Sequence, residues 1–121
     1  LKGYLILAKK QFENPKKFSG AYNFGTKKNS LTDVKTIVEY LINFWGEGKM
    51  KIKKSKFYEQ TNLQLSINKS KEKLQWLPTY SIKNNVRLTI EWYKKVKKLK
   101  QNPFKTTLDQ IDKYMYDSKI N

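Results

Sequence analysis

Segments with helical periodicity dominate this 121-residue sequence, and only three short stretches favour a β-strand. Apolar residues recurring every three or four positions predict helices over 3–12, 33–45, 68–76, 81–99 and from 107 onward. Alternating or aromatic-rich runs predict strands over 21–25, 50–53 and 63–67. Three short strands are a poor platform for that many amphipathic helices. We therefore expect the chain to pack on a further domain.

Residues at the ends of these segments predict where the helices begin and end. Thr32 is the expected N-cap of the second helix, and Gly46 is its expected C-cap glycine. Ser81 is expected to cap the fourth helix, and Asn102-Pro103 to end it. The capping-box pattern over 107–110 predicts the start of the last helix.

The sequence has no cysteine and no histidine. Their absence excludes disulfides, zinc sites of the usual Cys/His type, cysteine nucleophiles and Ser-His catalysis. The apolar runs are far too short to span a bilayer, and we recognise no signal peptide. We expect a cytoplasmic protein with no metal ligand and no membrane partner.

The formal net charge is +16, which on its own indicates an anionic partner. Arg87 is the sole arginine, although proteins that read bases and phosphates favour arginine for its bidentate contacts. The basic run 49–56, followed by Phe57 and Tyr58, can be a phosphate or single-strand groove or a solvated strand and loop. A basic nucleic-acid-binding module stays an alternative, but nucleic acid is not the partner that we expect.

One pair of residues matches a catalytic spacing. Tyr93 and Lys97 fit Y-x-x-x-K, in which a lysine lowers the pKa of a catalytic tyrosine one helical turn away. No G-x-G-x-x-G loop precedes the pair, and Tyr93 lies on the apolar stripe of its helix. We interpret the match as coincidence and predict no catalytic residue in this chain.

Several phrases together resemble the CDP-glucose 4,6-dehydratases, which are extended short-chain dehydrogenase/reductase enzymes of the NAD-dependent epimerase/dehydratase family. The phrases are GYLILA (3–8), FSGAYNFG (18–25), VEYLINFWG (38–46), EQTNLQL (59–65), KSKEKLQWLP (69–78) and TIEWY (89–93). The last two are shared by many nucleotide-sugar enzymes of that superfamily. The choice of CDP-glucose rests on the opening phrase at 3–8, on YNFG at 22–25 and on the stretch 59–65.

The resemblance implies an α/β fold. Residues 1–30 would supply the last helix and strand of a Rossmann-type sheet, at the C-terminal edge of that domain. Residues 31–121 would form the small mixed α/β lobe that binds the nucleotide sugar. The NAD site and the catalytic residues would lie in a missing N-terminal Rossmann domain, so the chain alone is expected to be inactive and the full-length enzyme to be a homo-oligomer.

The implied reaction converts CDP-glucose to CDP-4-keto-6-deoxyglucose for polysaccharide biosynthesis. NAD takes a hydride from C4, water leaves across C5 and C6, and the hydride returns to C6. Another NAD-dependent nucleotide-sugar epimerase or dehydratase is the alternative within the same superfamily.

Five residues are the expected substrate contacts. Lys28 and Lys56 can donate to phosphate, and Tyr58 can stack on a base or ribose. Asn29 lies in the loop before the second helix, where helix N–H groups attract phosphate. Glu59 can accept from a ribose hydroxyl or a base amine, or can bond a neighbouring loop.

Two segments and two single residues depart from the family pattern, the single residues being Ser66 for the usual Asp and Gln75 for the usual Gly. Residues 26–29 are Thr-Lys-Lys-Asn, where the family usually has proline and acidic residues. Residues 56–58 are Lys-Phe-Tyr, where it usually has His-x-His. These departures leave the identity of the sugar and of the base open.

Overall fold

The computed structural model describes residues 1–27, 32–53 and 65–120. In these ranges every element of regular secondary structure is a helix. The elements are α1 (Lys2–Glu13), α2 (Pro15–Phe18), α3 (Val34–Trp45), α4 (Asn68–Leu74), α5 (Ile82–Tyr93), a π-helical turn (Lys94–Lys98) and α6 (Pro103–Ile120).

The prediction of a Rossmann-sheet edge and a mixed α/β lobe is therefore wrong for the described residues. Residues 21–25, 50–53 and 65–67 form no strand, and the rest of the third predicted strand, 63–64, lies outside the described ranges. A strand needs a neighbour that pairs with its backbone. In 21–25, side chains take that place, because Lys69 donates to the carbonyl of Ala21 and Ser70 to that of Asn23.

The helix ends follow local capping chemistry. Gly46 ends α3 in the left-handed region at φ 93°, and the Ser81 hydroxyl accepts from the Asn84 N–H at 3.2 Å, as predicted. The predicted cap Thr32 is wrong by one residue, because the Asp33 carboxylate accepts from the Thr36 N–H at 2.6 Å.

The fourth helix is predicted to run to residue 99. In the structure it continues past Tyr93 as a wider, π-helical turn. The Leu99 N–H donates to the Lys94 carbonyl at 3.0 Å, which is the five-residue spacing of a π-helix. The last helix begins at Pro103, four residues before the predicted start. Asn102 caps it by accepting from the Lys105 N–H at 3.1 Å, and a proline suits the first helical position because its missing N–H would be unpaired there.

The chain divides into two compact units, and the first contains α1, α2 and α4. Its described residues are 1–27 and 65–78. Phe18, Ile67 and Leu74 are its buried apolar side chains. Gly3 of α1 lets the Phe24 ring approach the helix backbone, because a Cβ at Gly3 would lie 2.5 Å from that ring. Phe24 in turn contacts Trp76 edge-on, with 5.0 Å between ring centres.

The second unit contains α3, α5, the π-helical turn and α6. α5 is its centre, since it packs on α3 on one side and on α6 on another. Ile90 of α5 and Thr106 of α6 are buried. Gln110 ties α6 to α5 by donating to the Leu88 carbonyl at 2.8 Å, and the Trp92 indole donates to Thr107 at 2.9 Å.

The predicted domain division places its boundary between residues 30 and 31. That boundary falls within 28–31, outside the described residues. The substrate-binding role predicted for residues 31–121 stays a prediction.

Candidate functional site

All five predicted substrate contacts lie outside the described residues. Lys28 and Asn29 fall in 28–31, and Lys56, Tyr58 and Glu59 fall in 54–64. Their roles stay predictions. A candidate site can therefore be described only from residues close to these in sequence, beginning with the segment that leads into 28–31.

Three side-chain hydrogen bonds hold the irregular segment 19–25 against α4 and Ser66. The Lys69 ammonium donates to the Ala21 carbonyl at 3.0 Å, and the Ser70 hydroxyl donates to the Asn23 carbonyl at 2.5 Å. The Asn23 side-chain amide donates to the Ser66 carbonyl at 3.3 Å. These bonds fix the backbone that leads into residues 28–31.

Lys69 is the cation of this cluster. It is exposed, and its ammonium lies 4.3 Å from the centre of the Tyr22 ring, a cation–π distance. Gly20, at φ 110°, leaves room for it, because a Cβ there would lie 3.2 Å from the ammonium. An ammonium has three donors, and the Ala21 carbonyl takes one. Lys69 can therefore hold an anion such as a phosphate while keeping its own position.

The Tyr22 hydroxyl is the second notable group of the cluster. Its oxygen is buried and has no hydrogen-bond partner among the described residues. Buried hydroxyls usually have a partner, since leaving one unpaired costs about 1–3 kcal/mol. This hydroxyl is thus a polar group with bonding capacity to spare beside a cation.

Sequence reasoning did not single out Lys69, Ser70 or Tyr22 as a cluster. The bonds join residues 47 and 48 positions apart, and no local spacing signals such a contact. All three belong to phrases that carry the family resemblance, which was the one available signal. Trp76, in the same phrase as Lys69 and Ser70, packs edge-on against Phe24.

A polar network in the second unit joins the residues before α5 to the end of α6. The Tyr80 hydroxyl donates to the Asp117 carboxylate at 2.6 Å, and Thr79 donates to the Tyr114 hydroxyl at 3.2 Å. Lys113 also pairs with Asp117 at 2.9 Å. Burial, together with the bond to Asp117, raises the pKa of Tyr80 to about 12.

The direction of these shifts decides what the network can do. A tyrosine with a pKa of about 12 stays protonated near neutral pH, so it donates a hydrogen bond and does not act as a base. Hydrogen bonds from Tyr80 and Lys113 lower the pKa of Asp117, which therefore stays ionised. The network holds α6 in place and has no group poised for proton transfer near pH 7.

Two further carboxylates have pKa values below their usual range, and both have structural partners. The bonds from Thr36 lower the pKa of Asp33, which is the N-cap of α3. The bond from Lys98 lowers the pKa of Glu47, and the same Lys98 ammonium lies 4.8 Å from the centre of the Trp45 ring. We assign neither carboxylate a catalytic or ligand-binding role.

The Y-x-x-x-K pair does not form a built site. Tyr93 is the last residue of α5 and is 46 % exposed, although it lies on the apolar stripe of its helix. Its ring meets Trp92 edge-on at 5.3 Å, and Lys97 lies in the π-helical turn. The interpretation of this pair as coincidence stays a prediction.

Within 1–27, 32–53 and 65–120, no group of three or more Asp or Glu side chains is placed to hold a metal ion. In the same ranges, no helix combines the length and the apolar character that crossing a membrane requires.

Comparison with known proteins gives one informative similarity. The chain is 25 % identical over 96 residues to the CDP-glucose 4,6-dehydratase of Salmonella typhimurium. The match covers 78 % of this chain and 27 % of that enzyme, so the chain spans about a quarter of the length of its relative. No protein-family model matches the chain, and no solved structure matches it. The chain is thus related to a nucleotide-sugar dehydratase at a distance that leaves the particular reaction open.

Proposed function

We propose that this chain is the substrate-binding part of a nucleotide-sugar dehydratase that acts on CDP-glucose. The observation that carries the proposal is the similarity to a CDP-glucose 4,6-dehydratase over 78 % of the chain. The six phrases that resemble the family are spread from residue 3 to residue 93, so the likeness is not confined to one motif.

In this proposal, the catalytic residues and NAD belong to polypeptide outside this chain. NAD would supply the hydride acceptor and donor for the internal redox cycle. No described residue is assigned to its binding. What this chain would contribute is recognition of the pyrophosphate, the ribose and the base.

The five residues predicted from sequence are the proposed contacts. Lys28 and Lys56 would bind phosphate oxygens, Asn29 would lie near the phosphates, Tyr58 would stack on the base or ribose, and Glu59 would accept from a hydroxyl or amine. The described cluster around Lys69 supports a phosphate-binding role for the first unit, because Lys69 is an exposed ammonium held in position with donors to spare.

Ligand titration followed by ¹⁵N NMR tests this proposal. A chain of charge +16 attracts any anion, so the comparison must hold ligand charge constant. CDP-glucose and ADP-glucose carry the same charge and differ in the base. We expect CDP-glucose to bind more tightly and to shift the resonances of residues 28–31 and 54–64. Equal affinity for the two ligands, or no binding of either, would overturn the proposal.

A pair of charge-matched variants sharpens the test. Glu59→Gln replaces the proposed carboxylate acceptor with a neutral amide of the same shape, and losing the charge-assisted hydrogen bond should weaken CDP-glucose binding about tenfold. Glu13→Gln removes the same charge from α1, where Glu13 lies 3.8 Å from Lys9 and is exposed. If both variants change the affinity equally, Glu59 acts only through net charge and is not a contact.

A second candidate, nucleic-acid binding, is favoured by one observation, the net charge of +16. It predicts tight binding of single-stranded RNA with an affinity that falls steeply with salt. Fluorescence anisotropy at low and at moderate salt measures this directly. An absence of binding at low salt would eliminate this candidate.

A further inference from the structure

Helix α5, continued by the π-helical turn, forms a helical hairpin with α6. Two hydrogen bonds tie the helices together, from Gln110 to the Leu88 carbonyl at 2.8 Å and from the Trp92 indole to Thr107 at 2.9 Å. The tied positions approach each other in sequence, so the two helices run antiparallel. Residues 99–104, which we call the hairpin tip, therefore lie at its closed end, beyond the last of these bonds.

Local hydrogen bonds fix the backbone of the hairpin tip. Lys100 takes the left-handed region at φ 56°, and the Gln101 N–H donates to the Lys95 carbonyl at 3.0 Å, which is the pattern that closes a helix. Asn102 begins α6 by accepting from the Lys105 N–H at 3.1 Å. The side chains of the tip are thus presented by a capped turn between two helices.

Two large apolar side chains of the hairpin tip remain in solvent. Leu99 is 65 % exposed at the end of the π-helical turn, and Phe104 is 74 % exposed in the first turn of α6. Single exposed apolar residues are ordinary on a protein surface. Here two of them flank one turn at the end of a hairpin, which is a position from which side chains can enter another phase.

Lysines precede and follow these two side chains. Residues 94–105 contain no acidic residue and six lysines, at positions 94, 95, 97, 98, 100 and 105. All but Lys94 are exposed. Lys98 shares its charge with Glu47, whose carboxylate lies 3.2 Å from the Lys98 ammonium. The exposed apolar pair therefore lies in a strongly positive field, which attracts an anionic surface.

We propose that the hairpin tip is a peripheral membrane contact, in which Leu99 and Phe104 enter the surface of an anionic bilayer and the lysines lie among the lipid phosphates. Apolar side chains beside a cluster of lysines are the combination that binds such surfaces. Our prediction of no membrane partner rested on the short apolar runs, which bear on spanning a bilayer and not on contact with its surface. The proposal does not depend on the proposed function.

The composition of the tip favours lipid over nucleic acid. Attraction to lipid phosphates needs only point charges near the surface, which lysines supply. Proteins that read bases favour the bidentate contacts of arginine, and residues 94–105 contain none.

The same charges favour lipid over a further protein domain. A domain packed over this end would take exposed ammonium groups out of water, which is costly unless each one finds a partner. At a bilayer the ammonium groups stay in the hydrated headgroup layer, and only the two apolar side chains leave water.

Cosedimentation with vesicles tests the apolar part of the contact. Vesicles of phosphatidylcholine, with and without phosphatidylglycerol, are compared at about 0.15 M salt, where weak long-range attraction is screened. We expect binding only to the anionic vesicles, and Leu99→Gln combined with Phe104→Gln should weaken it about tenfold or more. Leu5→Gln combined with Phe12→Gln is the matched control, because these α1 residues are 71 % and 92 % exposed and the net charge is the same.

A second pair of variants tests the charges. Lys95→Gln combined with Lys97→Gln should weaken vesicle binding about tenfold or more. Lys71→Gln combined with Lys73→Gln removes the same charge from exposed positions of α4 and should have a smaller effect. All four lysines are exposed, so the far-UV circular dichroism of these variants should match that of the parent.

Three results of these binding measurements would overturn the proposal. One is the absence of binding to anionic vesicles. Another is equal weakening by the tip variants and their controls, which would show a general attraction of the basic chain to anions. The third comes from fluorescence anisotropy with single-stranded RNA. If Leu99→Gln combined with Phe104→Gln weakens RNA binding as much as vesicle binding, the tip is a nucleic-acid surface.

A polarity-sensitive dye separates a bilayer from a protein domain as the cover of the tip. The chain has no cysteine, so Phe104→Cys gives a single labelling site, and Phe12→Cys is the control site. We expect the emission of the dye at 104 to shift to the blue when anionic vesicles are added, and that of the dye at 12 to stay unchanged. A dye at 104 that is already blue-shifted without vesicles, in the polypeptide that carries this chain, would show a tip covered by protein and contradict the proposal.

Discussion

The Ser70 hydroxyl is the most informative single group in the first unit. Ser70 is fully buried, and its hydroxyl donates to the Asn23 carbonyl at 2.5 Å. Ser70→Ala keeps the Cβ and the helix but removes the donor. The Asn23 carbonyl then loses its partner in a part-buried site.

The expected cost follows from two opposing contributions. Losing this part-buried hydrogen bond costs about 1–2 kcal/mol, between the cost for an ordinary hydrogen bond and that for a fully buried group left unpaired. Alanine is the better helix former in α4, which returns a few tenths of a kcal/mol, about 0.5 at most. The net loss in the free energy of unfolding is therefore about 1–1.5 kcal/mol.

Urea unfolding followed by far-UV circular dichroism measures this loss. With a denaturant slope of about 1–3 kcal/mol per molar, the midpoint should fall by roughly 1 M. Ser66→Ala is the matched control, because the Ser66 side chain is exposed and only its carbonyl is used, as an acceptor for Asn23. We expect the control to stay within about 0.5 kcal/mol of the parent.

Amide hydrogen exchange places the effect in the structure. The Trp76 N–H donates to the Ser70 carbonyl at 3.2 Å, and the Lys71 N–H donates to the Ile67 carbonyl at 2.9 Å. Both amides should exchange about tenfold faster in Ser70→Ala if α4 is held by this hydroxyl. An unchanged midpoint together with unchanged exchange would refute the reasoning, since the bond would then contribute nothing to the fold.

Two further perturbations test packing and ionisation. Gly3→Ala should lower the free energy of unfolding by about 1–3 kcal/mol despite the better helix propensity of alanine, because its Cβ would lie 2.5 Å from the Phe24 ring. Gly25→Ala is the control, since its Cβ would lie 3.4 Å from Ile67 and should cost less stability. Urea unfolding of the two variants measures the difference. In an alkaline titration followed by tyrosinate absorbance, Tyr80→Phe should remove a step near pH 12. Because folding raises the pKa of Tyr80, the contribution of Tyr80 to stability is complete below pH 10 and is lost as the pH rises towards 12. The parent should therefore lose more stability than Tyr80→Phe between pH 10 and 12. Equal losses in the two proteins would contradict the raised pKa of Tyr80.

The helices could be predicted from the sequence because their signals are local. The apolar period of α3, its glycine at Gly46 and the cap at Ser81 each involve residues within a few positions of one another. The errors at Thr32 and at the start of α6 are also local. In both cases a better cap, Asp33 or Asn102, stood close by in the sequence.

The predicted strands failed for a different physical reason. A residue pattern such as that of 21–25 favours an extended backbone, but a strand also needs a pairing edge that the pattern cannot supply. In the structure, Lys69 and Ser70 satisfy that backbone from 47 or 48 residues away. No spacing rule reads such a contact from one sequence. The predicted site residues, Glu59 among them, lie in ranges that the structure does not describe, so their roles stay predictions.

We propose that the chain serves a nucleotide-sugar dehydratase that acts on CDP-glucose. The most direct measurement isolates the polypeptide that carries this chain from its native cells, incubates it with CDP-glucose and NAD, and identifies the sugar nucleotide by mass spectrometry and NMR. We expect the sugar nucleotide to lose one water and to carry a keto group at C4 and a methyl group at C6. Recovery of CDP-glucose unchanged, while another nucleotide sugar is turned over, would contradict it.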